Sequence, residues 1–177
     1  DWLTNKVDRS VTGRVARQQC QGEIQLPLSD CGVVALDYTG RTGIATSIGH
    51  APQVALADAA KGSVMAVAEA LTNIAGAPLK EGLKSVSLSA NWMWPCKNAG
   101  EDAALYRAVE ACSDFAVALG INIPTGKDSL SMTQKYGENK VFAPGTVIIS
   151  AAGGINAANA RAYAQTGVDF LVTTWPY

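Results

Sequence analysis

Two stretches of helical length constrain this chain most. Residues 58–76 and 100–120 each carry a single apolar stripe and each close on a glycine. In the first, Val64, Val67, Leu71 and Ile74 recur at a spacing that puts them on one side of a helix. Asp58 offers an N-cap, Gly76 a stop, and Pro78 blocks continuation. In the second, Glu101 and Asp102 occupy the first turn, where carboxylates complement the helix dipole. Leu105, Ala108, Cys112, Phe115 and Leu119 form its stripe, and Gly120 ends it. A helix with one stripe must lay that stripe on another layer. The apolar runs at 31–37, 43–48, 83–90, 121–123 and 146–150 supply strands for it. The first two are joined through Gly40, as a hairpin requires, and the fourth stops at Pro124. The order strand, strand, helix, strand, helix, strand, strand predicts an α+β fold, a mixed sheet with helices on one face. Strict alternation fails, which argues against a doubly wound dinucleotide fold. Residues 1–30 read as irregular and polar, apart from a short amphipathic stretch near 15–20.

Composition narrows the function classes. The 177 residues are 48% hydrophobic and 16% charged, which fits one domain plus a tail and excludes a disordered chain. Lys plus Arg total 14 and Asp plus Glu 15, so no basic excess points to nucleic acid or an anionic membrane. No apolar run is long enough for a signal peptide or a membrane span. Cys20, Cys31, Cys96 and Cys112 form no Cys-x-x-Cys pair and read as reduced thiols of a cytoplasmic protein. His50, the single histidine, cannot build a multi-histidine metal site. The chain begins at Asp1-Trp2-Leu3 and ends directly after an apolar run, so it reads as processed or as a piece of a longer protein.

Three constellations could carry chemistry. Thr125-Gly126-Lys127-Asp128-Ser129, after Pro124, resembles a phosphate loop. It is not a Walker A motif, because position 121 is Ile and Asp128 separates Lys127 from Ser129. Glycine backbone, hydroxyls and an ammonium still suit a phosphate, and a polar turn entering a strand explains the same residues. Glu69 and Asn73 are four apart and share a helix face turned away from the apolar stripe. Both are oxygen ligands suited to Mg²⁺, with Asp30 a third candidate; a solvated helix face is the alternative. Residues 91–98, Asn-Trp-Met-Trp-Pro-Cys-Lys-Asn, end a strand and are either functional or an anchor for the core or an interface. Cys96 has Lys97 beside it but no base in view, which argues against a catalytic thiol, and His50 without a nucleophile reads as structural.

Five motifs stand in one order: residues 8–13 (DRSVTG), 68–74 (AEALTNI), 88–93 (LSANWM), 100–103 (GEDA) and 124–132 (PTGKDSLSM). Together they resemble the large, single-chain phosphoribosylformylglycinamidine synthase family of purine biosynthesis, over residues 4–151. The resemblance implies one N-terminal-type domain of the second half of the synthetase core, similar to that of aminoimidazole ribonucleotide synthetase. Such a ligase hydrolyses glutamine and uses ATP and ammonia to convert formylglycinamide ribonucleotide to the amidine. The resemblance further implies an auxiliary Mg²⁺–nucleotide (ATP/ADP) site with Asp30, Glu69 and Asn73 on the metal and Ser29 on the nucleotide. Thr125, Gly126, Lys127, Asp128 and Ser129 would border the nucleotide or the substrate phosphate. The first synthetase half and the glutaminase domain would be partners outside this chain, so the chain alone is expected to be inactive. Related domains pair sheet to sheet, which implies self-association. A non-catalytic nucleotide-binding or assembly module is the alternative reading.

Residues 152–177 depart from that pattern. Ala152-Gly153-Gly154-Ile155-Asn156, an Ala-rich stretch, then Gly167-Val168-Asp169 resemble a β/α segment of a quinolinate-phosphoribosyltransferase-like barrel. A Gly-Gly turn there could present backbone N–H groups to a phosphate. One strand and one helix cannot close a barrel, so the expected organisation is a domain at 1–151 and a foreign-looking segment at 152–177. A phosphoribosyltransferase-related protein is the weakest of the three functional readings.

Overall fold

The computed structural model describes residues 13–18, 20–27, 29–39 and 41–155. Short strands β1 (Val15–Arg17), β2 (Cys20–Gln21) and β3 (Leu26–Pro27) precede β4 (Cys31–Ala35) and β5 (Gly43–His50). Helices α1 (Pro52–Ala57) and α2 (Ala59–Ile74) follow, then β6 (Lys80–Leu83), β7 (Val86–Met93) and α3 (Glu101–Leu119). The chain continues through β8 (Asn122–Ser129), β9 (Thr133–Tyr136), β10 (Asn139–Phe142) and β11 (Thr146–Ile155). The main sheet has the strand order β1-β4-β5-β11-β7-β8. Its β4/β5 pairing is antiparallel and its β7/β8 pairing parallel, so the sheet is mixed, and the α+β class read from the sequence holds. No helix among the described residues is long and apolar enough to cross a membrane.

The chain falls into two compact units, residues 1–48, 71–86 and 151–177, and residues 49–70 and 87–150. In the first, Cys31 pairs Ser47 and Ala35 pairs Gly43, so the predicted hairpin forms around residues 36–42. Asp37 holds the turn: its carboxylate accepts from the Thr39 N–H and hydroxyl, both at 2.7 Å, and from the Thr42 hydroxyl. These hydrogen bonds, the Thr42 one foremost, hold the Asp37 carboxyl far below the usual carboxylate range. Along β5 burial alternates residue by residue, with Ala45 and Ser47 inside and Ile44 and Ile48 outside. Leu71, Ile74, Leu79 and Val86 complete this unit's core, and full burial of Ile74 is worth about 2 kcal/mol. Among the described residues before 31, strands form where the sequence suggested irregular structure: β1 pairs with β4 and β2 with β3.

In the second unit the helix ends fall as predicted. The Asp58 carboxylate accepts the Lys61 N–H at 3.0 Å and pairs with its ammonium at 3.1 Å, so the cap is real. Gly120 closes α3 in the left-handed conformation at φ 67°. The buried line of α3 is Ala108, Cys112 and Ala116, whereas Leu119 is exposed, so the stripe is rotated from the expected one. At Ala108 the helix meets α2: Ser63 donates its hydroxyl to the Ala108 carbonyl at 2.7 Å. Helix α1 was not foreseen, although Pro52 at its start favours helix initiation. Gly62 lets it dock: a side chain there would collide with Ala55.

Three strand expectations need correction. The strand expected at 83–90 begins at Val86, because Gly82 turns the chain at φ 59° and accepts the Ser85 N–H. It runs on to Met93, so Asn91, Trp92 and Met93 belong to the strand and not to a loop. The strand expected to stop at Pro124 extends to Ser129; no strand follows β8 in the sheet order, and an edge tolerates a proline that lacks the N–H. The strand expected at 146–150 continues to Ile155, so Gly153-Gly154 is not a turn. Gly153 lies against Leu79, whose terminal methyl a Cβ there would have to displace. The barrel-like stretch after 155 lies outside the described residues.

Candidate functional site

Two of the three expected metal-binding side chains, those of Glu69 and Asn73, are hydrogen-bonded to backbone groups, and Glu69 and Asp30 are exposed. In the first unit, Ile48 near the end of β5 donates its N–H to the Asp30 carbonyl at 3.3 Å. The same residue's carbonyl accepts the Asn73 side-chain N–H at 2.9 Å. Asp30 is exposed and Asn73 half-buried. Ser29, half-buried beside Asp30, directs its hydroxyl at the Cys31 carbonyl at 3.4 Å. In the second unit, the His50 backbone N–H donates to the Glu69 carboxylate. The contact forms because Gly49 has no side chain; a Cβ there would overlap the Ala66 carbonyl and the Ala70 backbone of α2. His50 makes this contact through its backbone. Among the described residues no group of three or more His, Cys, Asp or Glu is placed to hold a metal.

The glycine-lysine motif is not a loop. Residues 125–129 lie in β8, paired to β7 as Ser89 to Thr125, Ala90 to Gly126, Asn91 to Lys127, Trp92 to Asp128 and Met93 to Ser129. The period of two splits the motif between the sheet's faces. Thr125, Lys127 and Ser129 share one side with Ser89 and Asn91, and the Lys127 ammonium donates to the Ser129 hydroxyl at 2.6 Å. Gly126 and Asp128 fall on the other. Gly126 is there because β7 comes close: a Cβ would collide with the Ala90 carbonyl. The side-chain oxygen of Asn91, opposite Lys127, is buried without a hydrogen-bond partner.

The tryptophan segment resolves toward an anchor. Trp94 is 2% exposed, and Gly145 lies flat against its indole. Backbone bonds from Trp94 N–H to Ser129 at 2.8 Å and from Cys96 N–H to Leu130 at 3.2 Å tie the segment to the end of β8. The Cys96 thiol is pushed up by desolvation, then by Asp102, Glu101 and Asp128, so it resists becoming a nucleophile. Burial pushes Cys112 up to about 11, and Cys31 is raised in the same way.

Known proteins agree with this architecture. The family described as FGAR-AT PurM_N-like domain matches residues 1–154. The chain belongs to this family. It is 50% identical over 150 residues to human phosphoribosylformylglycinamidine synthase, and 47% over 150 residues to a probable phosphoribosylformylglycinamidine synthase of Caenorhabditis elegans. Those stretches cover 85% of this chain but 11% of each relative, so the chain spans about a ninth of their length. Among solved structures, PurLQS from Thermotoga maritima superposes with a TM-score of 0.59 at 16% identity, over 72% of this chain and 20% of that one. T. maritima PurL complexed with ATP superposes with a TM-score of 0.54 at 18% identity, over the same shares. At that identity the likeness shows a shared fold.

The family match ends three residues past the boundary expected at 151, and β11 crosses that boundary without a break. Two features escaped the sequence reading. The β9/β10 hairpin is marked only by Gly137, at φ 59°, and the role of Gly49 depends on which helix lies beneath it.

Proposed function

We propose that this chain is the N-terminal-type domain of the second synthetase half of a phosphoribosylformylglycinamidine synthase, and that it contributes an Mg²⁺–nucleotide site without turning over alone. The observation that carries the reading is the pairing of Glu69 and Asn73 with backbone groups of His50 and Ile48 inside a domain of this family. The donor chemistry fits a hard cation. With its N–H donated to Ile48, Asn73 has its side-chain oxygen left to offer as a ligand. Glu69 brings a carboxylate, and exposed Asp30 a second one, while the remaining positions suit water and phosphate oxygens, as Mg²⁺ prefers. When bound, the ion would neutralise nucleotide phosphates. Ser29 beside Asp30 is proposed to touch the nucleotide, and Thr125, Lys127 and Ser129 to face the nucleotide or the substrate phosphate. Gly126 and Asp128 belong to that motif in sequence but support it from the other side of the strand.

The relatives' names support a ligase of purine biosynthesis acting on formylglycinamide ribonucleotide, with ATP as the nucleotide. In the longer protein the other synthetase half and a glutaminase domain would be partners, in a cytoplasmic enzyme. The exposed Ile44 and Ile48 on the outer side of β5 support pairing of this face with another sheet, so the chain alone should self-associate. The organisation proposed is a domain at 1–151 and a foreign-looking segment at 152–177, whose first residues lie in β11. Calorimetric titration with ADP and Mg²⁺ tests the reading. Metal-dependent binding that Glu69→Ala loses is the expected result. Nucleotide binding that ignores both the metal and the substitution would overturn the metal assignment.

A further inference from the structure

Beyond this site, the β9/β10 ribbon of the second unit is built as if to be covered. It is a two-stranded hairpin outside the main sheet, and seven of its eight strand residues are exposed. Such a ribbon is marginal in water without a third layer. Its register sets Lys135 directly opposite Lys140. Like charges in that position repel, and neither lysine has an ion-pair partner among the described residues. Thr133 and Phe142, the next pair but one, share the lysines' face. That face has a definite setting: Thr133 accepts the Asn98 side-chain N–H at 3.2 Å, and Phe142 lines a cleft of about 620 Å³. Leu56, Trp94, Arg107 and Pro144 also line the cleft. Leu56 and Phe142 are 66% and 47% exposed, and Trp94 keeps a buried indole N–H without a partner. Of the acids that line the cleft, Asp58 is paired with Lys61, and Glu101 shares the lining with the cationic Arg107.

We propose that the Lys135/Lys140 face and the adjoining cleft form a docking surface for an acidic polypeptide segment with an aromatic or aliphatic anchor. Carboxylates of the partner relieve the lysine–lysine repulsion, and its apolar side chain fills the cleft between Leu56 and Phe142. The charge pattern selects this occupant, because a second copy of the same ribbon would bring four ammonium groups together, and a purely apolar partner would leave the lysines opposed.

The test uses the whole chain and a random copolymer of glutamate and tyrosine as probe, with amide chemical-shift changes as readout. Polyglutamate and a lysine–tyrosine copolymer are the controls. The expected result is saturable binding of the glutamate–tyrosine copolymer alone, with shifts confined to residues 133–142 and the cleft. Charge reversal in a Lys135→Glu/Lys140→Glu variant should weaken it by at least about tenfold, and half-molar salt should do much the same. Phe142→Ser should weaken it without altering nucleotide binding. Both sites are exposed, so the variants should stay folded, which their amide spectra verify. Equal binding of polyglutamate would reduce the surface to nonspecific charge and overturn the proposal. So would shifts elsewhere, indifference to charge reversal, or no binding.

Discussion

The polar pair of α2 near the end of β5 and the polar motif of β8 pose the same choice in sequence, a ligand site or a plain polar surface, and the structure sets them in different surroundings. Residues 125–129 look like a loop built to cradle phosphate. They form a strand whose glycine faces a neighbouring carbonyl and whose side chains alternate between two faces. Glu69 and Asn73 look like an ordinary solvated helix face. Each is tied to a backbone group near the end of β5. A polar motif gains its local geometry from the strand pairing it enters. A polar pair on a helix gains its meaning from what lies across from it, which one chain segment does not display.

The largest expected effect breaks both regions at their glycines. Gly49→Ala drives a Cβ into the Ala66 carbonyl and the Ala70 backbone, and Gly126→Ala does the same at the Ala90 carbonyl. Backbone cannot yield as a side-chain tip can, so each substitution should cost about 3 kcal/mol, at the upper end of ordinary overpacking. In a chain of this size that lowers Tm by roughly 6–12 °C, readable by calorimetry. The comparison is sharpened by what else is lost. Gly49→Ala should also weaken Mg²⁺-dependent ADP binding in the protein that remains folded, because Glu69 meets the strand beside it. An unchanged melting temperature for either variant would show that the close approach is not needed.

The second effect is in binding. Glu69→Ala and Asn73→Ala should each weaken Mg²⁺-dependent ADP binding by about tenfold or more. Each should cost only about 1 kcal/mol of stability, one hydrogen bond to a backbone group. Asn73→Asp separates the roles: it offers an oxygen to the metal but no N–H to Ile48. Retained metal affinity with a lowered Tm would assign Asn73 to both. Loss of stability in all three variants, with ADP binding untouched, would return these residues to a purely structural part.

The legible features were those written in consecutive residues. Asp58, Gly76 and Gly120 mark helix ends through capping chemistry that acts within one turn, and α2 and α3 form where those residues put them. The hairpin at 36–42 was visible through its flanking apolar runs. What was not legible depends on partners distant in sequence. Pro124 reads as a stop unless the strand is known to lie at an edge, where its missing N–H costs nothing. Leu119 reads as core unless Ala108, Cys112 and Ala116 are known to be the buried line of α3, with Ala108 against Ser63 of α2. At the candidate site, the residue types and spacing of Glu69 and Asn73 were readable, but the anchoring by His50 and Ile48 was not, because backbone N–H and C=O groups carry no mark in sequence. Gly153 shows the same limit: next to Gly154 it suggests a turn, yet it lies in β11 with the Leu79 side chain packed against it.

The smallest effect falls on β8 itself. Lys127 is exposed on the edge strand, and its ammonium donates to the Ser129 hydroxyl, so Lys127→Met removes one solvent-screened hydrogen bond. Its stability should change by no more than about 0.5 kcal/mol. The informative quantity is ligand affinity. If the Thr125, Lys127 and Ser129 side faces a phosphate in the longer enzyme, the methionine variant should lose affinity for a phosphate-bearing ligand there while Mg²⁺-dependent ADP binding to the isolated chain stays the same. If ADP binding to the isolated chain falls with Lys127→Met as far as with Glu69→Ala, the two regions serve one ligand. The contrast between the proposed metal site and an edge-strand contact would then collapse into a single site. Equal affinities of wild type and variant for both ligands would instead leave Lys127 as a charged residue protecting a sheet edge, a use for which lysine is well suited.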